Sequence, residues 1–287
     1  MTPKELIDAF DVLADAPDGI VRLRELVLGL AVRGKLVPQD SSDEPASTLL
    51  DKIASEKTRL AKGKKARVPD ELSSSASVDV PFPVPDGWEW TCLGELGAIF
   101  SGNSIPATKK TEIYSKVKGG RPYIATKDVG YGRDELAYDN GVRIPSGESK
   151  FKVAEPGAVL VCSEGGSAGR KVGFVRQRIC FGNKLIATQP CEGVASEYLF
   201  AFLQSAGFRS SFRERMTGII GGISLGKFVT IEFSLPPLAE QHRIAAKVDE
   251  LMALLDRLEA AQDSRETTRQ ALRDAALSAL RDADDPE

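Results

Sequence analysis

The sequence predicts an α+β fold in which a strand-rich middle segment lies between an N-terminal helical segment and a long C-terminal helix. Residues 82–237 of this 287-residue chain contain both Trp, all five Tyr and eleven of the twelve Phe. The same segment holds 22 of the 26 Gly, whereas apolar residues recur at helical spacing on either side of it. We therefore predict a helical segment at 1–66, a linker at 67–81, a compact domain at 82–237 and one long helix at 238–287.

Two helices are predicted in the N-terminal segment. The first is indicated by apolar residues on one helical face, closed by Pro38: Ile20, Leu23, Leu26, Val27, Leu30 and Ala31. The second begins near Ser47, which suits an N-cap, and continues through LLDKIASEKTRLAK. The charged, Ser- and Pro-rich stretch that follows is typical of a solvated linker.

The middle segment is predicted to form short strands joined by turns. Its stretches GAVLVCSEGG, VGFVRQRICF and FVTIEFSL combine aromatic and β-branched residues with glycines. This composition favours a compact domain with irregular loops.

One long helix is predicted after SLPPLAEQ, because paired prolines permit a helix to begin but not to continue through them. Residues 239–283 would span about 65 Å at about 1.5 Å per residue. Alternating steps of four and three residues place a seam at Ile244, Val248, Leu251, Leu255 and Leu258. We expect this seam to pair with a partner helix; the alternative for its first turns is packing on the chain's own domain.

The charge of the chain is divided unevenly along its length. The net charge is -3, but residues 82–237 hold 19 Lys and Arg against 15 Asp and Glu. Residues 1–81 hold 12 against 14, and residues 238–287 hold 7 against 12. A basic middle with acidic flanks suits a nucleic-acid-reading domain on a scaffold that binds something else; chance scatter is the alternative.

Several classes of function lack their sequence signals. No stretch approaches the ~20 apolar residues of a membrane span, so we expect a cytoplasmic protein without membrane contact. The four Cys show no C-x-x-C spacing, and a single His242 offers no zinc site. The stretch GGISLGKF at 221–228 has Phe228 where a phosphate-binding loop needs Ser or Thr, and no methyltransferase motif is present. We expect no catalytic site, no metal and no bound cofactor.

Three stretches, in the same order, resemble type I restriction-modification specificity subunits. They are LRELVLGLAVRGKLVPQDSSDEPASTLLDKI at 23–53, VPDGWEWTCLGEL at 84–96 and SLPPLAEQHRIAAKVDELMALLDRLE at 234–259. The resemblance implies that 82–237 is a target-recognition domain that enters the major groove of double-stranded DNA. It also implies long helices that pair as a rigid spacer and dock methyltransferase subunits, which would bind S-adenosylmethionine, and in some systems a restriction subunit.

The resemblance has one departure. Members of the family usually carry two recognition domains and two spacer helices, whereas this sequence has one of each. We therefore expect a homodimer formed through the C-terminal helix. The alternatives are a stand-alone regulatory DNA-binding dimer and a small restriction or methylation enzyme.

Four loops of the middle segment are candidates for contact with DNA. In the first, at 101–120, Asn103 and Ser104 suit bases and Lys109 and Lys110 suit phosphates. A solvated hairpin loop is the alternative. In the second, IATKDVGYGRDEL, the candidates Lys127, Tyr131 and Arg133 surround a tight glycine turn, and Arg133 suits guanine. Neutralisation of the cations by Asp128 and Asp134 is the alternative.

The other two candidate loops are rich in glycine. In SEGGSAGRKVG at 163–173, small residues allow close approach of the backbone to a phosphate, and Arg170 and Lys171 supply charge. In TGIIGGISLGKF, the candidates are Ser224 and Lys227.

Overall fold

The computed structural model describes residues 16, 18–63, 80–218 and 221–284. The first 15 residues and most of the predicted linker at 67–81 lie outside the described residues. The helices are α1 (Gly19–Ala31), α2 (Ala46–Gly63), α3 (Ala107–Glu112), α4 (Ser196–Leu203), α5 (Ala206–Arg215), α6 (Leu225–Phe228) and α7 (Leu238–Asp284). The strands are β1 (Glu89–Cys92), β2 (Gly97–Ser101), β3 (Arg121–Ile124), β4 (Arg143–Ile144), β5 (Val153–Ala154), β6 (Val159–Cys162), β7 (Val172–Phe174), β8 (Ile179–Phe181), β9 (Leu185–Pro190) and β10 (Glu232–Leu235).

The predicted α+β fold class is confirmed. The apolar stripe of 20–31 forms α1, and the helix predicted at 239–283 is α7. Two local predictions were wrong. Ser47 lies inside the first turn of α2 and not at its cap, and FVTIEFSL forms a strand only over its second half. Phe228 instead ends α6, because Ser224 Oγ accepts a hydrogen bond from Lys227 N and caps that short helix.

The strands form two four-stranded sheets and one two-stranded sheet. The larger sheet has the order β2-β9-β6-β7 and is antiparallel throughout. The smaller has the order β4-β3-β8-β5, with β3 and β8 parallel. Strands β1 and β10 pair with each other and bring the start of the middle segment beside its end.

The larger sheet is covered on both faces. On β6, Val159 and Val161 belong to the core shared with the helices, whereas Leu160 and Cys162 belong to the core shared with the smaller sheet. This division follows the alternation of side chains along a strand. One sheet therefore joins the helical scaffold to the smaller sheet. None of the helices among the described residues is long and apolar enough to cross a membrane.

Thr188 of β9 is fully buried, and its Oγ1 has no hydrogen-bond partner among the described residues. We expect Thr188→Val to raise the free energy of unfolding by about 1 kcal/mol, because it removes an unsatisfied hydroxyl and keeps the side-chain shape. Urea denaturation measures the change, and Thr230→Val, at an exposed position, is the control. A lower stability of Thr188→Val would mean that the hydroxyl has a partner.

The apolar seam of α7 faces the inside of this chain. Ile244, Val248, Leu251 and Leu255 are buried in one core with α1 and α4, and Leu258 is partly buried against the same core. This corrects their assignment as an interface with a partner helix. Packing on the chain's own domain, the alternative given by the sequence, describes the first turns, while pairing of the remainder of the helix stays a prediction.

The beginning of α7 is fixed by two buried polar side chains. Glu240 accepts hydrogen bonds from Trp88 Nε1 at 2.8 Å and from Gln39 Nε2 at 2.6 Å. Burial raises the pKa of the Glu240 carboxyl. The motif LPPLAEQ thus uses its Glu to attach the helix to the N-terminal region.

Gln241, the next residue, is fully buried and satisfies three backbone groups. Its Oε1 accepts from Ala195 N at 2.7 Å, and its Nε2 donates to Gly193 O at 3.2 Å and to Pro236 O at 3.0 Å. It joins the start of α7 to the turn before α4.

Candidate functional site

Several loops leave the larger sheet at one edge. Ser101 at the end of β2 pairs with Ile186, and Cys162 at the end of β6 pairs with Leu185. The end of β6 also lies beside the start of β7. The loops that follow β2 and β6 and the loop that precedes β9 therefore lie next to one another.

The smaller sheet adds its own loops to this edge. Gly182 N donates to Ile124 O at 2.9 Å after the parallel strands β3 and β8, and Asn103 N donates to Phe181 O at 2.8 Å. Farther along the chain, Ile223 N donates to Ser163 O at 2.9 Å. We name this surface the loop edge; it consists of residues 102–106, 125–134, 163–171, 182–184 and 221–224.

The loop edge contains most of the residues that the sequence proposed for DNA contact. They are Asn103, Ser104, Lys127, Tyr131, Arg133, Arg170, Lys171 and Ser224, with Lys227 close by on α6. Lys109 and Lys110 lie apart from it on α3, where Lys110 Nζ is 4.9 Å from the ring centre of Tyr123. Sequence analysis did not single out Lys184, which pairs with Glu164 at 2.8 Å.

Tyr131 joins two of these loops. Its ring centre lies 5.6 Å from the guanidinium carbon of Arg170 and 5.1 Å from Lys171 Nζ. Lys171 Nζ also donates to Thr126 O at 3.4 Å. Cations within about 6 Å of an aromatic ring are attracted to its face, so the two loops support each other.

Arg133 is held by the long helix. Its Nη2 lies 2.6 Å from Asp249 Oδ1 of α7, so in this structure the guanidinium suggested for guanine is engaged within the chain. Asp128 and Asp134, the alternative partners, have other contacts: Asp128 Oδ2 accepts from Ala125 N, and Asp134 Oδ2 from Tyr131 N. The loop's carboxylates hold its backbone in place.

Asn103 is also engaged within the protein. Its Oδ1 accepts from Lys152 N at 2.7 Å, and its backbone oxygen accepts from Tyr123 Oη at 2.7 Å. It therefore fixes the junction between the two sheets, while Ser104 beside it is exposed.

The glycines of 163–173 serve two purposes. Gly169 has φ +66°, and a Cβ there would lie 2.7 Å from the ring of Phe212, so packing alone requires glycine. A Cβ on Gly165 or Gly166 would meet nothing within 4 Å. The backbone at Gly165 and Gly166 is therefore open to a ligand, whereas Gly169 is part of the core.

Positive charge is concentrated in the smaller sheet and its loops. Residues 103–153 hold ten Lys and Arg against six Asp and Glu, which accounts for the whole excess of the middle segment. Exposed lysines of this part are Lys109, Lys116, Lys118, Lys127 and Lys152. The basic character predicted from the sequence thus belongs to one side of the domain.

A cleft of about 490 Å³ separates the loop edge from α1 and α7. Its lining includes equal numbers of basic and acidic side chains: Arg24, Arg133, Arg170 and Arg209, with Glu25, Asp134, Asp256 and Glu259. Arg24 pairs with Glu259 at 2.8 Å, and Arg209 with Glu25 at 2.6 Å. Balanced charge disfavours phosphate binding there, so the cleft is a junction between domain and helices.

A family model described as the type I restriction modification DNA specificity domain matches residues 85–266. The chain belongs to this family. The EcoAI specificity subunit of Escherichia coli is 34% identical over 274 residues, which are 94% of this chain and 46% of that protein. The EcoEI specificity subunit of Escherichia coli is 32% identical over 274 residues, 94% of this chain and 45% of that protein. The chain spans about half the length of the curated relatives that it matches.

Solved structures show the same fold as this member of the specificity-domain family. A chain from a study of complex assembly and conformational transition in the type I R-M system has a TM-score of 0.56 at 22% identity, over 96% of this chain and 58% of that one. The HsdS subunit from Thermoanaerobacter tengcongensis has a TM-score of 0.52 at 22% identity, over 96% and 56%. The family resemblance stated from the sequence is thus confirmed.

Proposed function

We propose that this chain is the DNA-reading component of a type I restriction-modification complex, acts in the cytoplasm and directs methyltransferase subunits, and a restriction subunit where one exists, to the target. The observation that carries this proposal is the loop edge, where cations and open glycines from distant parts of a specificity-domain chain lie together. The chain contributes recognition and no catalysis, and S-adenosylmethionine binds to the partner methyltransferase.

The proposed reading surface divides phosphate from base contacts. Arg170 and Lys171, beside the open backbone of Gly165 and Gly166, take phosphates, and the exposed lysines of 103–153 extend the contact along the duplex. Ser104 and Ser224, both exposed on the loop edge, suit base edges. Sequence specificity then comes from the loops, and affinity from the basic side of the domain.

Selection from a pool of duplexes with a randomised centre tests this function. The full chain is expected to enrich one sequence pattern, and titration calorimetry is expected to show no heat of binding for S-adenosylmethionine. Recovery of an unbiased pool would contradict sequence-specific reading. Micromolar binding of S-adenosylmethionine by this chain alone would contradict the non-catalytic role.

The phosphate contacts give a separate prediction. Replacing Arg170 and Lys171 together by Ala should weaken binding to all duplexes alike and make the slope of log affinity against log salt shallower by about two, one for each phosphate released. Fluorescence anisotropy over a salt series measures the slope.

A matched control lies at the opposite edge of the same sheet. Arg176 and Arg178 follow β7 and precede β8, and both are exposed. Their double replacement by Ala removes the same charge and should leave the slope unchanged. Equal slopes for the two double variants would show that binding depends on net charge alone.

We also propose that the distal part of α7 pairs with a second copy of this chain and that the helical scaffold docks methyltransferase subunits. In support, Leu272, Leu277 and Leu280 are 68%, 50% and 64% exposed, unlike the buried leucines nearer the start of the helix. Apolar side chains on one side of a projecting helix favour a helical partner.

A further inference from the structure

Tyr131 is unusual among the aromatic residues of the domain because it is 48% exposed. Tyr114, Tyr123 and Tyr198 are buried, and Tyr138 is partly buried. A large ring left in solvent at the tip of a loop gives up burial that the other tyrosines obtain, which favours a role in contact with a ligand.

The loop that carries Tyr131 is preorganised. Tyr131 N donates to Asp134 Oδ2 at 3.2 Å, and Asp134 N donates to Tyr131 O at 3.2 Å. A Cβ on Gly130 would lie 2.3 Å from Asp134 Cβ, and Gly132 has φ +58°, so both positions require glycine. Arg133 holds the same loop to Asp249 of α7. The ring is therefore presented by a fixed backbone.

The neighbours of the ring indicate what it faces. Arg170 and Lys171, the proposed phosphate ligands, lie within 6 Å of its centre, and Tyr131 Oη is 3.5 Å from Ser167 Oγ. Phosphates line both sides of a groove, so a ring placed between their ligands lies at the groove mouth. Its hydroxyl is directed to the protein, which leaves ring carbons for the DNA.

We propose that Tyr131 determines specificity by packing its ring against a thymine methyl group in the major groove, and that Asp134 positions it. This inference rests on the proposed DNA-reading function. The thymine methyl is the apolar group that base edges display in the major groove, and apolar side chains read it by contact. A Tyr held between two phosphate ligands suits that contact better than a hydrogen bond to a base.

Replacing thymine by uracil tests the contact directly, because uracil lacks only the methyl group. Duplexes selected by the full chain are rebuilt with each thymine in turn replaced by uracil. For the wild-type chain, one replacement should weaken binding about three- to fivefold, the effect of one buried methyl group. In Tyr131→Ala the same replacement should have no effect, and Tyr131→Phe should restore the wild-type sensitivity.

Two further variants separate a direct contact from a general structural effect. Ile113→Ala removes an apolar side chain that is 49% exposed away from the loop edge and should retain full sensitivity to uracil. Asp134→Ala should reduce the sensitivity by releasing Tyr131 while thermal melting shows an intact fold. Undiminished uracil sensitivity in Tyr131→Ala, with the same selected sequence, would overturn this inference and leave DNA reading in place. Failure of the wild-type chain to select any sequence would overturn both.

Discussion

Replacing Leu251 and Leu255 together by Asp is expected to lower the free energy of unfolding by at least about 4 kcal/mol. Both side chains are buried in the core that α7 shares with α1 and α4, so the change removes apolar contacts and places two carboxylates where no cation neutralises them. Guanidinium denaturation followed by far-ultraviolet circular dichroism measures the loss.

The same pair of substitutions farther along the helix is the control. Leu272 and Leu280 are exposed, so Leu272→Asp with Leu280→Asp should leave the free energy of unfolding unchanged and instead weaken assembly measured by light scattering. If the inner pair left stability intact and the outer pair left assembly intact, the packing of α7 on its own chain and the proposed distal interface would both be wrong.

Gln241→Leu is expected to destabilise the chain by about 3 kcal/mol or more, although Leu is the more apolar residue. The substitution leaves Ala195 N, Gly193 O and Pro236 O without the partner that each now has, and every unsatisfied buried group costs about 1–3 kcal/mol. Urea denaturation gives the difference in free energy of unfolding.

An exposed glutamine provides the matched comparison. Gln177→Leu makes the same chemical change in solvent between β7 and β8, where we expect a difference below about 0.5 kcal/mol. Similar effects of the two substitutions would show that the hydrogen bonds of Gln241 contribute little to stability.

Periodicity predicted the long helix well, but it did not identify what the helix packs on. The spacing of Leu251 and Leu255 is the same whether the facing side chains come from a second chain or from Leu23 and Val27 of α1. The distinction depends on contacts between residues more than 200 positions apart, such as that of Arg24 with Glu259. No local pattern encodes such a contact.

The candidate site shows a similar limit. Residue type and glycine content identified the loops, because exposed cations and open turns are local properties. Their convergence depends on strand order, which places β9 between β2 and β6. Asn103 suited a base by its chemistry, yet the fold uses its side-chain oxygen for Lys152 N. Asp249, which holds Arg133, is 116 positions away and gives no signal near that loop.

The continuity of α7 fixes rotational phase as well as distance. The helix begins at a buried anchor formed by Glu240 and Gln241, touches the recognition loop through Asp249 and continues to Asp284. Each residue of an α-helix adds about 1.5 Å of rise and about 100° of turn. A partner held near the far end is thereby set at one azimuth relative to the loop edge. On a DNA double helix, whose grooves also rotate with distance, one inserted residue in α7 would change which groove that partner faces more than how far along the duplex it lies.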